Sequence, residues 1–338
     1  MQLRLIIKYL VVFLFLVVML FCWLYYDMQR AIDSPLHVES TQYLNVEPGM
    51  SLTRVAREIV SKGWISHPYY LILQARLYDK AHLIKAGEYE IEPGTTQIAL
   101  LKKLVEGKVI QYSITIPEGL TFKDIISLIG RNKDLTHTVN NGTVSLLGKL
   151  DFLSTHPEGL FYPDTYHFPR GTTDMDIFSR SYQMMQEVLL KEWKVRAMGL
   201  PYQTPYEALI MASIIEKETS RGSERSKISG VFLRRLQIGM RLQTDPTVIY
   251  ALAESFDGNI RRKDLSVDSP YNTYLYAGLP PTPIASPGRA SIEAALQPAE
   301  GEDLYFVAKG DGTHQFSSTL EEHNNAVRLY QLNNGNSQ

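Results

Sequence analysis

The stretch Ala208-Leu209-Ile210-Met211-Ala212-Ser213-Ile214-Ile215-Glu216-Lys217-Glu218-Thr219 runs almost without polarity for eight residues and then ends in two carboxylates. At 100° per residue, Glu218 extends the line of Met211, Ile214 and Ile215, while Glu216 falls on the opposite side with Leu209 and Ala212. A helix apolar on every side is a buried helix. A carboxyl that continues a buried stripe loses solvation, holds its proton to higher pH and can act as a general acid near neutrality. The competing reading is a polar helix end emerging into solvent, since helix ends carry charge routinely.

The chain has 338 residues, room for one membrane anchor and roughly two domains. Hydrophobic residues at 44% and charged residues at 21% describe ordinary globular material, and a net charge of −2 carries no nucleic-acid signature. The single cysteine, Cys22, lies in the N-terminal apolar run, so the rest of the chain has no intrachain disulfide and no thiol nucleophile. Tyr9–Tyr26 carries no charge and as a helix spans roughly 27 Å, close to a bilayer core of about 30 Å. Arg4, Lys8 and the amino terminus precede it, and Asp27, Arg30 and Asp33 follow. The positive bias predicts a cytoplasmic N-terminus (residues 1–8), a span at residues 9–26, and the bulk of the chain on the periplasmic side of an inner membrane. A cleaved signal peptide is the alternative, but Trp23-Leu24-Tyr25-Tyr26-Asp27 offers no small-x-small cleavage site.

Three segments then align without gaps: Val46-Glu47-Pro48-Gly49-Met50-Ser51-Leu52, Ile91-Glu92-Pro93-Gly94-Thr95-Thr96-Gln97 and Ile116-Pro117-Glu118-Gly119-Leu120-Thr121-Phe122. Each predicts a strand, a Pro-Gly turn, a Ser or Thr N-cap and an amphipathic helix. Their unequal spacing argues against a solenoid. Gly87-Glu88-Tyr89-Glu90-Ile91 predicts a further strand, and Gly63 and Gly107 suit helix ends. This pattern resembles the small wall-binding LysM module over residues 43–110; a generic β-α unit that positions the later domain is the equal alternative. Residues 111–155 read as a connecting β-α region, with a loop or short helix over Thr138–Leu150. Glu158-Gly159-Leu160-Phe161-Tyr162-Pro163-Asp164 reads as an ordered junction, because a flexible linker would be Ser/Gly-rich or charged.

From residue 156 to 332 a second domain is expected. The pattern predicts helices over Asp176–Met198, from Pro205, over Glu224–Ile238 with Gly239 as its stop, from an N-cap at Asp245 with Pro246 in the first turn, and over Glu321–Tyr330. Leu304–Ala308 and His314–Phe316 predict two strands around Gly310-Asp311-Gly312, and Gly278-Leu279-Pro280-Pro281-Thr282-Pro283-Ile284 predicts an extended rigid wall. The fold class is therefore α+β, with a single N-terminal transmembrane helix. There is no Gly-x-Ser-x-Gly elbow, Ser-x-x-Lys pair, phosphate loop or His-Glu-x-x-His. Neither a metal nor a cofactor is expected, although His314 and His323 could be neighbours in space. Carboxylate chemistry remains.

Ile215-Glu216-Lys217-Glu218-Thr219, Gly230-Val231-Phe232-Leu233-Arg234-Arg235-Leu236, Leu242-Gln243-Thr244-Asp245-Pro246-Thr247-Val248-Ile249-Tyr250, Tyr271-Asn272-Thr273-Tyr274 and Gly278-Leu279-Pro280-Pro281 together resemble the YceG-like family of MltG-type endolytic murein transglycosylases. Leu233 and Ser286 stand where that family more usually has Tyr and Asn. The resemblance implies a mixed helical and β catalytic domain that cleaves the β-1,4 bond between N-acetylmuramic acid and N-acetylglucosamine within peptidoglycan strands, leaving 1,6-anhydro ends. It places the catalytic carboxylate at Glu218 and implies work beside wall synthases, setting strand length. A hydrolase needs a second carboxylate, and Glu216 points away. Gln243, Thr244, Asp245, Tyr250, Tyr271, Asn272 and Tyr274 are the candidate substrate-binding residues, each of which could instead serve a turn or cap. A hydrolytic muramidase and a non-catalytic peptidoglycan-binding scaffold are the alternatives.

Overall fold

The computed structural model describes residues 2–139 and 156–332. The chain divides into two compact units, Met1–Tyr112 with His167–Thr172, and Ser113–Tyr166 with Thr173–Gln338. Most of the stretch expected as a loop or short helix over Thr138–Leu150 lies outside the described residues.

The first unit opens with α1 (Gln2–Asp33), long and apolar enough to cross a membrane, whose large apolar side chains from Leu5 to Tyr26, Val17 apart, are exposed. Its last turns behave differently. Met28 and Ile32 are buried, Asp27 accepts the Tyr70 hydroxyl, and the Ala31 carbonyl accepts from Gln97. Beyond it come β1 (Gln42–Val46), α2 (Leu52–Ser61), α3 (Tyr69–Leu77), β2 (Gly87–Ile91) and α4 (Gln97–Glu106). The two strands pair antiparallel from Gln42↔Ile91 to Val46↔Gly87. Ser51 and Thr96 cap α2 and α4 as their spacing predicts, each side chain accepting a backbone N–H three residues on. The apolar faces of these elements converge on one core that includes Leu44, Val55, Ile59, Leu71, Tyr89, Ile91 and Leu100.

The third copy of the pattern belongs to the other unit. Thr121 caps α5 (Phe122–Gly130) with a full capping box to Asp124, and Phe122 stacks on Phe161 at 5.3 Å. The strand before it, β3 (Tyr112–Thr115), pairs with β4 (Thr165–Phe168). Phe161 also meets Phe178 edge-on at 5.5 Å. The aromatic junction is thus ordered by packing. Gly159 is required within it: at φ +74 a side chain would be strained, and a Cβ would come within 2.4 Å of Pro283.

The second unit continues with α6 (Asp174–Lys194), α7 (Pro205–Glu218), α8 (Gly222–Gln237), α9 (Asp245–Leu252) and α10 (Arg289–Leu296). It ends with β5 (Tyr305–Ala308), β6 (His314–Ser317) and α11 (Leu320–Val327). α6 stops short of the expected Met198, which is 99% exposed and has nothing to pack against. α11 likewise ends early, in a wider π turn over Arg328–Leu332. α9 begins one residue earlier than expected: Thr244, not Asp245, is the N-cap residue, yet its side chain makes no capping bond. β5 and β6 form the antiparallel hairpin, from Tyr305↔Ser317 to Ala308↔His314.

α7 is the centre of this unit. Ala208 through Ile215 are all buried, with α10, α8, α6 and α9 packed around them. Ser213 is polar within that run, and its hydroxyl donates to the Ile210 carbonyl at 2.7 Å and accepts the Ile284 N–H at 3.0 Å. The helix is thereby joined to the proline-rich wall, and no buried polar group of Ser213 is left without a partner.

Truncating Phe161 removes a ring held between Phe122 and Phe178. Phe161→Ala is expected to cost about 3–5 kcal/mol, read as a lower midpoint in thermal or urea unfolding, whereas Met198→Ala leaves the midpoint unchanged.

Candidate active site

The two carboxylates that close α7 meet different surroundings. Glu216 Oε2 accepts the Gly288 N–H at 3.1 Å and the Ser291 hydroxyl at 2.7 Å, both at the start of α10, and Oε1 pairs with Arg225 at 3.4 Å. An anion at a helix N-terminus is favourable. Glu216 therefore fastens α7 to α10.

Glu218 instead borders a cavity of about 410 Å³. Its carboxylate accepts the Thr244 hydroxyl at 2.7 Å, which explains why the N-cap residue of α9 makes no capping bond. Arg235, Gln243, Asp245, Tyr274 and His314 line the same cavity, with β5 and α11 contributing its other wall. Burial holds the Glu218 proton above the ordinary carboxylate range. The Thr244 hydroxyl opposes that shift, the Asp245 charge adds to it, and His314 and Arg235 also oppose it.

The loop carrying Thr244 is sewn to the Tyr271-Asn272-Thr273-Tyr274 segment. The Gln243 N–H donates to the Thr273 carbonyl at 3.2 Å, and the Thr244 N–H donates to the Thr273 hydroxyl oxygen at 3.1 Å. Asn272 is fully buried; its amide donates to the Leu265 and Val267 carbonyls, and its oxygen accepts the Tyr274 N–H. Tyr274 in turn donates its hydroxyl to Asp245. Gln243 sits at φ +52, a conformation rare for residues other than glycine.

Of the seven candidate binding residues, Gln243, Asp245 and Tyr274 line the Glu218 cavity, and Thr244 bonds the carboxylate directly. Asn272 acts through the backbone that it holds. Tyr250 instead lines a second cavity with Glu158, and Tyr271 packs its ring against that of Tyr250, 4.9 Å away.

Two groups at the first cavity were not among the candidate site residues. Arg235 is buried, donates to the Leu304 carbonyl at 2.6 Å and the Leu242 carbonyl at 2.7 Å, and sits 5.3 Å from the Tyr305 ring. His314 is held by Glu224, which accepts its backbone N–H at 3.0 Å and contacts Nδ1 at 2.7 Å. The Arg234-Arg235 pair inside an otherwise apolar helix pattern was the available signal for the first; nothing local marks the second. His323 also lines the cavity, stacked on Tyr305 at 5.2 Å.

The YceG-like family profile matches residues 44–329. The endolytic murein transglycosylase of Bacillus subtilis (strain 168) is 33% identical over 314 residues, covering 86% of this chain and 85% of that protein. The protein of the same name from Streptococcus pneumoniae serotype 2 is 26% identical over 90% of this chain, which spans 61% of that longer protein. A crystal structure of a YceG-like protein from Listeria monocytogenes superposes with a TM-score of 0.51 at 32% identity, over 85% of this chain and 99% of the other. A match over most of the chain, joined to two such relatives and a shared fold, places this protein in the YceG-like family.

Proposed function

We propose that this protein is a peptidoglycan lytic transglycosylase that cuts the β-1,4 bond between N-acetylmuramic acid and N-acetylglucosamine inside glycan strands, with Glu218 as its acid and base. The observation that carries the reading is a desolvated carboxyl, held above its ordinary proton affinity, at the edge of a cavity and bonded by one hydroxyl. The names of the relatives point to the same substrate. In the forward step Glu218 gives its proton to the glycosidic oxygen as the C1–O bond breaks. The carboxylate then takes the proton of the muramyl C6 hydroxyl as that oxygen bonds to C1. Water is neither consumed nor released, and the new end is a 1,6-anhydro sugar.

Gln243, Asp245 and Tyr274 would orient the sugars, with Thr244 steadying the carboxylate after its proton has left. A hydrolytic muramidase is the second reading, favoured by one observation: Asp245 is a second carboxylate on the same cavity. Its engagement by the Tyr274 hydroxyl favours an orienting role instead.

The remaining chain fits a membrane-tethered enzyme. We read residues 9–26 as a single inner-membrane span with the N-terminus cytoplasmic and the bulk periplasmic. Residues 43–110 are read as a LysM-like module, 111–155 as a connection and 156–332 as the catalytic domain. The β-α-α-β order of β1, α2, α3 and β2 around one core supports the module. Placement beside wall synthases, where cleavage would set the length of new strands, follows from the family resemblance.

Glu218→Gln is expected to slow digestion of purified sacculi by about 10²–10⁴-fold, and mass spectrometry of parent digests should find ends one water lighter than hydrolytic ends. Hydrolytic ends alone would establish the muramidase instead. The same substitution should stabilise the fold. Native Glu218 holds its proton above the unfolded carboxyl's pKa of about 4.3, so stability falls as pH rises through the window between the two values. The Gln variant should therefore melt above the parent at about pH 8, with the gap closing by about pH 4. Thr244→Val removes a donor that favours the carboxylate, so the alkaline limb of the pH–rate profile should move to higher pH.

A further inference from the structure

The second cavity has a volume of about 820 Å³, within the range of about 300–1,000 Å³ usual for ligand sites. Glu158, 3% exposed, lines it. The carboxylate accepts the Phe122 N–H at 2.9 Å and the Tyr250 hydroxyl at 3.0 Å. Burial pushes its pKa up to about 7, against the pull of those two bonds. Pro246, Ile249, Tyr250 and Ile284 supply apolar and aromatic wall, while Lys123 and Glu254 form an exposed ion pair on the lining. An acid acceptor beside an aromatic ring suits a sugar, which offers hydroxyl donors at its edge and C–H groups on its faces.

The two cavities share their framework. Glu218 and Asp245 line the first, and their chain neighbours Lys217 and Pro246 line the second. From Asp245 to Tyr250, α9 rises only about 7.5 Å. Among the described residues, three other than glycine have positive φ, and two of them bracket this helix: Gln243 at +52 on the first cavity and Ala253 at +47 on the second. Unfavourable backbone retained at both ends of one short helix, each time at a cavity wall, is a mark of function.

We infer that the cavity around Glu158 and Tyr250 is a second saccharide site, which takes an N-acetylated sugar of the same polymer that is cut at Glu218. The inference rests on the proposed transglycosylase reading for its substrate. Tyr250 and Glu158 bind and position the strand there and touch no reacting atom. A chain that grips its polymer on both sides of α9 is suited to cutting within strands.

Ser255 is exposed, lines this cavity and is absent from the lining of the first, so Ser255→Trp obstructs one site alone. The test uses the full-length protein in detergent, with glycan strands stripped of stem peptides as substrate. Ser255→Trp should raise KM for long strands about tenfold, with kcat and the anhydro product unchanged. An unchanged KM in a variant that melts like the parent would overturn the inference. Lys123 provides a measurement that does not depend on that variant. In the Glu218→Gln protein, tetrameric N-acetylglucosamine should slow acylation of Lys123, and undiminished labelling at saturating sugar counts against the site. If the parent leaves no anhydro ends, the transglycosylase reading fails, while protection of Lys123 still reports on this cavity.

Discussion

A helix enclosed on all sides must satisfy every polar group that it carries with another part of the protein, because no water is available to do so. α7 is such a helix from Ala208 to Ile215, and its few polar side chains set the arrangement around it. Ser213 receives the Ile284 N–H and so fixes the proline-rich wall; Glu216 receives the first turn of α10. At Glu218 the helix reaches the first cavity, and there its carboxylate accepts the Thr244 hydroxyl. Two glutamates separated by one lysine thus serve an architectural end and a chemical one.

The same constraint accounts for the conformation of the α9 entrance. Thr244 occupies a position whose side chain ordinarily caps its own helix. Here its hydroxyl is committed to Glu218, while its N–H and that of Gln243 are taken by Thr273. Asn272 stabilises the segment that provides those acceptors. The buried carboxyl is therefore supported through two layers of loop, and the strained backbone at Gln243 lies at the point where they meet.

Arg235 and His314 complete the wall of the site around Glu218. Each is anchored by groups distant in sequence: Arg235 by the Leu304 and Leu242 carbonyls, His314 by Glu224. Both draw the Glu218 carboxyl toward ionisation, against the stronger effect of burial. A carboxyl poised between opposing influences can both release and recover a proton during one catalytic cycle.

Much of this was legible in the residues alone. Periodicity at 100° per residue separates Glu216 from Glu218, since two positions on a helix differ by about 200°. Ser51, Thr96 and Thr121 announce three helix starts through local hydrogen bonding, which depends on nothing distant. The three matching segments nevertheless part company: Val55 and Leu100 enter the core of the first unit, whereas Phe122 stacks on Phe161 in the second. Local spacing also misplaced the α9 cap, because Asp245 is a good cap by type but is claimed by Tyr274. Periodicity, caps and turns are short-range, so the sequence by itself determined the elements, the anchor-like helix and the separation of the two glutamates. Which hydroxyl meets Glu218, and that Tyr250 belongs with Glu158, are contacts between segments 26 and 92 residues apart; only tertiary packing decides such pairs, because no local rule links residues so far apart along the chain.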